Sequence, residues 1–210
     1  MAAKAGNRPT RNGTTAAAGS SGSIVQELRS YAHAAAGDRR TEPWVLRRGD
    51  AILVAGAETT VRGLMVAAAV DDDHNPGPVL RYASAQAARL GVPLRAVHVW
   101  TEEFTPVAPG LRLRRHDRMC DADQLLMDVL YECLPAPDAD AAERQILHDP
   151  DPVRALVALS QDAALLVVGV RGEATREGVG DTVRRLAGRT ACPLAVLPEP
   201  EDAALLPTWR

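Results

Sequence analysis

From residue 62 to residue 198, short apolar runs closed by turn residues alternate with stretches of helical periodicity. This alternation restricts the chain more than any other feature. Residues 63–70, GLMVAAAV, are apolar without a break until Asp71-Asp72-Asp73. An unbroken run of that length suits a strand buried on both faces. Asn75-Pro76 then opens a helix with Val79, Leu80, Ala83, Ala87 and Leu90 on one side and Gly91 as its stop. The same sequence of events repeats to the end. Residues 94–100 read as a second strand and 143–147 as a third. The fourth lies at 165–169 and the fifth at 193–197, from Pro193 to Leu197. Between them lie a helix around Leu125–Leu134 stopped by Pro135 and Pro137, one begun by Asp151-Pro152, and one over 182–189. Residues 101–121, with two prolines and the cluster Arg112, Arg114 and Arg115, read as a loop.

Strand-helix alternation with right-handed crossovers predicts an α/β fold, an open five-stranded parallel sheet with helices on both faces. Ligands of such Rossmann-like sheets sit beyond the carboxyl ends of the strands, where strand order reverses. If the first and fourth strands are neighbours, Asp71 and the segment 169–182 line one crevice.

The 210 residues exceed what that domain needs. Residues 1–22, rich in Ala, Gly, Ser and Thr, read as a disordered tail without a secretory signal. Residues 23–60 read as an accessory extension that packs on the domain. It holds a helix with Ile24, Leu28 and Tyr31 on one face, then two short strands around Arg48-Gly49-Asp50. The domain proper takes residues 61–199, and 200–210 form an acidic tail. A net charge of −3 offers no basic field for nucleic acid. The apolar stretch 51–70 is broken by Glu58 and Arg62, which excludes a membrane span. The three cysteines, Cys120, Cys133 and Cys192, form no CxxC pair. They fit reduced thiols in a cytoplasmic protein. His116 and Cys120 lack a second ligand pair for zinc, and His98 reads as a packed or hydrogen-bonded strand residue.

The segment GVRGEATREGVGDT, residues 169–182, joins the fourth strand to the last helix. Strand, Gly-rich loop and helix N-terminus in that order form a phosphate cradle. The same residues also serve as a plain connection whose glycines satisfy turns, with Asp181 as an N-cap.

Three stretches resemble the universal stress protein family. VDDDHNPGPVLRYASAQAARLGVPLRAVHVW resembles its first strand, helix and second strand; ALVALSQDAALLVVGVRG resembles its fourth-strand region; TACPLAVLP resembles its closing strand. The resemblance covers roughly residues 62–198 and implies a sheet similar to that of the adenine nucleotide alpha hydrolases. Nucleotide-binding members are similar in carrying G-x2-G-x9-G-[ST]. Here Gly169 and Gly172 match the first two glycines, with Arg171 between them, and Gly180 matches the third. Seven residues separate Gly172 from Gly180 where the family pattern has nine, and Asp181 stands in the hydroxyl position, with Thr182 next. Asp71 matches the aspartate that faces adenine and ribose, and Val99 a position beside adenine. The resemblance implies a non-enzymatic regulator of the stress response and a homodimer paired through strand 193–197. It also implies degenerate or conditional ATP binding; by charge alone, Mg²⁺ bridging phosphate and carboxylate would reverse the repulsion from Asp181. A ligand-free interaction module of the same fold is the alternative. A nucleotide-processing enzyme is a third, but its SGGxDS-type loop does not occur at Val70-Asp71-Asp72-Asp73.

Overall fold

A computed structural model describes residues 20–37, 42–56, 59, 63–70, 76–100, 115–171 and 178–199, with the side chains of 20–22 and 115–120 excepted. The elements in chain order are α1 (Ser20–Ala36), β1 (Trp44–Arg48), β2 (Ala51–Ala55), β3 (Met65–Ala69), α2 (Pro76–Leu90), β4 (Leu94–Trp100) and α3 (Arg115–Cys133). After them come α4 (Ala136–Ala141), β5 (Glu143–His148), α5 (Pro152–Leu159), β6 (Ala163–Gly169), α6 (Asp181–Leu186) and β7 (Leu194–Leu197).

The strands form one sheet in the order β1-β2-β7-β6-β3-β4-β5. The β3-to-β7 part is parallel, as the alternation requires, and β3 lies beside β6. The apolar runs serve both faces because successive side chains point to opposite sides. Met65 and Ala67 of β3, Leu166 and Val168 of β6, and Leu194 and Val196 of β7 enter one core with α1, α5 and α6. Val66 and Ala68, Leu165 and Val167, and Ala195 and Leu197 enter the other, under α2, α3 and α4. Cys192 is fully buried in the first core, and burial pushes its thiol up to about 12. It is therefore protonated at neutral pH and a packing residue rather than a redox sensor.

Several expectations change. The sheet has seven strands and is mixed, because the N-terminal hairpin joins it. Gly49, with φ 61°, is the first residue of the two-residue turn, as a type II′ hairpin demands. β2 then pairs antiparallel with β7, Ile52 opposite Val196 and Val54 opposite Leu194. The strand at 193–197 is therefore internal: its hydrogen-bonding edge, expected to meet a second copy, is filled by the chain's own β2. Residues 20–22 belong to α1 rather than to the tail, and α3 starts at Arg115, inside the expected loop. Pro135 and Pro137 do not simply stop a helix. Pro135 is the N-cap of α4 and Pro137 lies in its first turn, where a missing N–H costs nothing. The arrangements of 1–19, 101–114 and 200–210 lie outside the described residues.

Helix α1 docks through Ile24, Leu28, Ala32 and Ala36, one residue every four, with Tyr31 half-buried beside them. Burying Ile24 and Leu28 contributes on the order of 3–6 kcal/mol before the cost of ordering the helix. The closest approach is at Gly188, whose φ is 76°. A Cβ there would lie 2.9 Å from the Ala32 carbonyl oxygen and 3.1 Å from its Cα. Gly188→Ala should therefore both strain the backbone and push α1 off α6, costing about 2 kcal/mol. Thermal denaturation should register a drop of about 4–8 °C; an unchanged midpoint would contradict this docking.

Candidate functional site

The site forms where strand order reverses. From β3 the chain crosses to β4 on one side, whereas β6 occupies the other side, with Val66 opposite Leu165 and Ala68 opposite Val167. The carboxyl ends of β3 and β6 thus open side by side. Val70 follows β3; its N–H donates to the Val97 carbonyl at 2.8 Å. Its own carbonyl lies 3.0 Å from His98 Nδ1. A carbonyl only accepts, so this contact places the His98 proton on Nδ1. The imidazole pins the chain one residue before Asp71. Asp71 itself lies outside the described residues, as do Asp72, Asp73 and Gly172.

On the β6 side the loop is closed at its base. Val170 N–H donates to Leu197 and Gly180 N–H donates to Val170, both at 2.8 Å. Arg171 lies across this base with its side chain only 10% exposed; Nε donates to the Gly178 carbonyl at 2.9 Å and Nη1 pairs with Glu199 at 3.3 Å. Gly178, with φ 76°, turns the returning chain towards α6. Gly180 is the N-cap of α6 and makes no side-chain cap, so Asp181 is the first helical residue rather than the cap. Asp181 is exposed and Thr182 half-buried.

Gly169 differs from the glycines that the fold demands. A Cβ there would meet only the Arg171 carbonyl at 3.5 Å and a Val79 methyl at 3.9 Å, ordinary contacts. The packing of the described residues would accept alanine. Among the described residues, the half-buried Gly169 backbone faces the start of α2 with room beside it. Val99 stands on β4, two strands away, half-buried on the α5 side. The structure therefore brings Gly169, Arg171, Gly180, Asp181 and Thr182 together at one strand end, with Val99 at the far side of β3.

Three neighbours of the site do not announce themselves in the sequence. Glu199 reaches Arg171 because β6 and β7 run parallel with Gly169 opposite Leu197, which sets residue 171 beside 199. Glu27, from α1, accepts from the Val179 N–H at 3.4 Å. Asp151 caps α5 through Val153 N–H and also binds Arg185 of α6 at 2.7 Å. Beside it, Asp149 accepts from Asp151 N–H and from both ends of the Arg154 guanidinium. Among the described residues no group of three or more His, Cys, Asp or Glu side chains could hold a metal ion. No helix there is long and apolar enough to cross a membrane.

This acid-base chain has a pH signature. The Arg154 hydrogen bonds, then the Asp151 N–H, hold Asp149 below the ordinary aspartate range; Arg185 first, then Val153 N–H, does the same for Asp151. A carboxylate whose pKa is lowered by folding stabilises the fold above its unfolded value. It loses that contribution as pH falls through the folded value. NMR titration should place both midpoints below the free aspartate value, and Arg185→Gln should return Asp151 towards it while leaving Asp149 in place.

A family model described as the universal stress protein family matches residues 65–198. Among solved structures, a universal stress protein from Archaeoglobus fulgidus is 21% identical; the alignment covers 64% of this chain and 98% of that one, with a TM-score of 0.49. A universal stress protein from the same organism in complex with dAMP is likewise 21% identical, covering 66% and 99%, with a TM-score of 0.47. A hypothetical protein solved as a test case of structural genomics is 12% identical, covers 65% and 96%, and has a TM-score of 0.51, which shows the shared fold. No curated protein matches the sequence.

Proposed function

This chain belongs to the universal stress protein family, and on that premise we propose that it is a regulatory protein of the stress response with conditional ATP binding at the end of β3 and β6. The observation that carries the reading is the room beside Gly169 among the described residues. It is a glycine that the packing of the described residues does not demand, placed where strand order reverses. A nucleotide would lay its phosphates along the backbone between Gly169 and Gly180, with adenine towards Val99. Arg171 does not serve as a loose phosphate ligand; it braces the loop through Gly178 and Glu199. The family hydroxyl is replaced by Asp181. A carboxylate about 4 Å from a phosphate charge costs ~1 kcal/mol in water and ~4 kcal/mol at an effective dielectric near 20. Asp181 is exposed, so the lower figure applies, and Mg²⁺ between carboxylate and phosphate would reverse its sign. Without the metal the loss of affinity is about fivefold, not loss of the site.

A second reading has its own support. Val179 N–H and the Arg171 side chain already have partners within the chain, which suits a ligand-free interaction module. Both readings are of a binding protein and not of an enzyme. Calorimetry with ATP, ADP and AMP, with and without Mg²⁺, separates them. We expect Mg²⁺-dependent micromolar ATP binding by the wild type, and about fivefold tighter metal-free binding by Asp181→Ser. Absence of binding in both proteins would leave the ligand-free module.

Assembly is a separate matter. Pairing between copies through strand 193–197 requires the hairpin to leave β7, because β2 holds that edge. We propose a monomer as the resting form of the full chain. Light scattering at micromolar concentration should return a mass near 22.4 kDa. Twice that mass would mean that copies meet through another surface or exchange their hairpins.

A further inference from the structure

The contact between α1 and the loop joins residues 152 positions apart. Glu27 lies half-buried on α1, with one carboxylate oxygen accepting from Val179 N–H at 3.4 Å and the other accepting from the Ser23 hydroxyl at 3.2 Å. The carboxylate also crowds Gly178, where a Cβ would lie 3.4 and 3.6 Å from its two oxygens. Arg184 lies on the far side of the contact. Its guanidinium carbon is 5.2 Å from the Tyr31 ring centre, and its Nη2 donates to the Val179 carbonyl at 3.4 Å. Both backbone groups of Val179 are thus engaged, one by α1 and one by α6.

We propose that Glu27 is a built-in competitor for the loop: its carboxylate takes the Val179 amide that a phosphate oxygen would use, so that the N-terminal extension sets the affinity for nucleotide. The proposal rests on the nucleotide reading given above. An amide N–H donates one good hydrogen bond, so an incoming phosphate must displace the carboxylate or lie beside it. Displacement gives up a contact, and coexistence sets like charges a few ångströms apart. Either way the chain resists an anion with its own anion, and a ligand that binds must loosen α1 from the loop. Linkage makes the relation reciprocal: whatever draws α1 away raises the affinity for the phosphate, and nucleotide in turn loosens α1.

Glu27→Gln tests this in the full-length protein. Glutamine keeps the size and an acceptor oxygen for Val179, and removes only the charge. Calorimetric titration with Mg²⁺-ATP and with inorganic pyrophosphate should show about tenfold tighter binding by Glu27→Gln than by wild type. The gap should narrow as KCl rises, because screening weakens the repulsion. Glu27→Ala, which removes the acceptor as well, should move affinity in the same direction. Its melting temperature reports whether α1 stays folded onto the domain. Equal affinities for wild type and both variants would overturn the role of Glu27 while leaving nucleotide binding intact. Weaker binding by the variants would make Glu27 a support of the loop and overturn the proposal. No binding by any of the three proteins would overturn it together with the nucleotide reading.

Discussion

Everything in this fold hangs on β6. It has three strands on one side and three on the other, and a helical layer over each face. All of its residues from Ala163 to Val168 are buried, and from Leu165 to Val168 alternate side chains enter opposite cores. Such a strand tolerates polar side chains on neither face, so any ligand chemistry must wait until the chain leaves the sheet. It leaves at Gly169, and the polar site begins there. The core explains where the candidate site lies, and the strand order reverses between β3 and β6, the place where ligands of open parallel sheets bind.

The next constraint is the edge of β7. Its four residues are all buried, two in each core. A bare edge of that composition is a template for pairing with another chain. Here the N-terminal hairpin supplies the neighbour, and β1 becomes the outer strand, carrying Arg47 and Arg48 exposed at its end. Charge on an edge strand opposes further pairing, so the hairpin both satisfies β7 and presents a less adhesive edge. Helix α1, which precedes the hairpin, packs on the face of the sheet that α5 and α6 cover, where Gly188 lets its backbone come close. That placement alone brings Glu27 to the β6–α6 loop. The hairpin of the extension is part of the sheet, and the contact of Glu27 with the loop is a consequence of how the edge is closed.

What could be read from residues alone follows from what is local. Runs such as AALLVVG and PLAVL signal strands because burial on both faces leaves them no polar residues, and Asp151-Pro152 signals a helix start through its own backbone chemistry. Gly169 and Gly180 are legible by their place after a strand and before a helix. Proline misleads at 135–137, since the same residue that ends one helix fits the first turn of the next. The pairing of Ile52 with Val196 has no local cue: the run AILVA reads as a strand but not as whose neighbour. Glu199 lies between these cases. The parallel register of β6 and β7 would have placed it beside Arg171, had that register been extended two residues past Leu197. Glu27 carries no signal at all, being an ordinary acid on the polar side of a helix until tertiary packing gives it an amide.

The loop therefore has to be understood as a competition. A phosphate cradle works through backbone N–H groups that have nothing better to bind. In this chain Gly180 N–H is spent on the loop's own base, and Val179 N–H faces a carboxylate. The bond at the base cannot be given up without opening the strand end. The one to Glu27 is long, half-exposed and made by an element that docks from outside the domain. Of the two, it is the one that a ligand could replace at little cost to the core. If the loop binds nucleotide as proposed, a site whose weakest internal bond is held by α1 would respond to that helix, whatever the strength of the nucleotide contacts themselves.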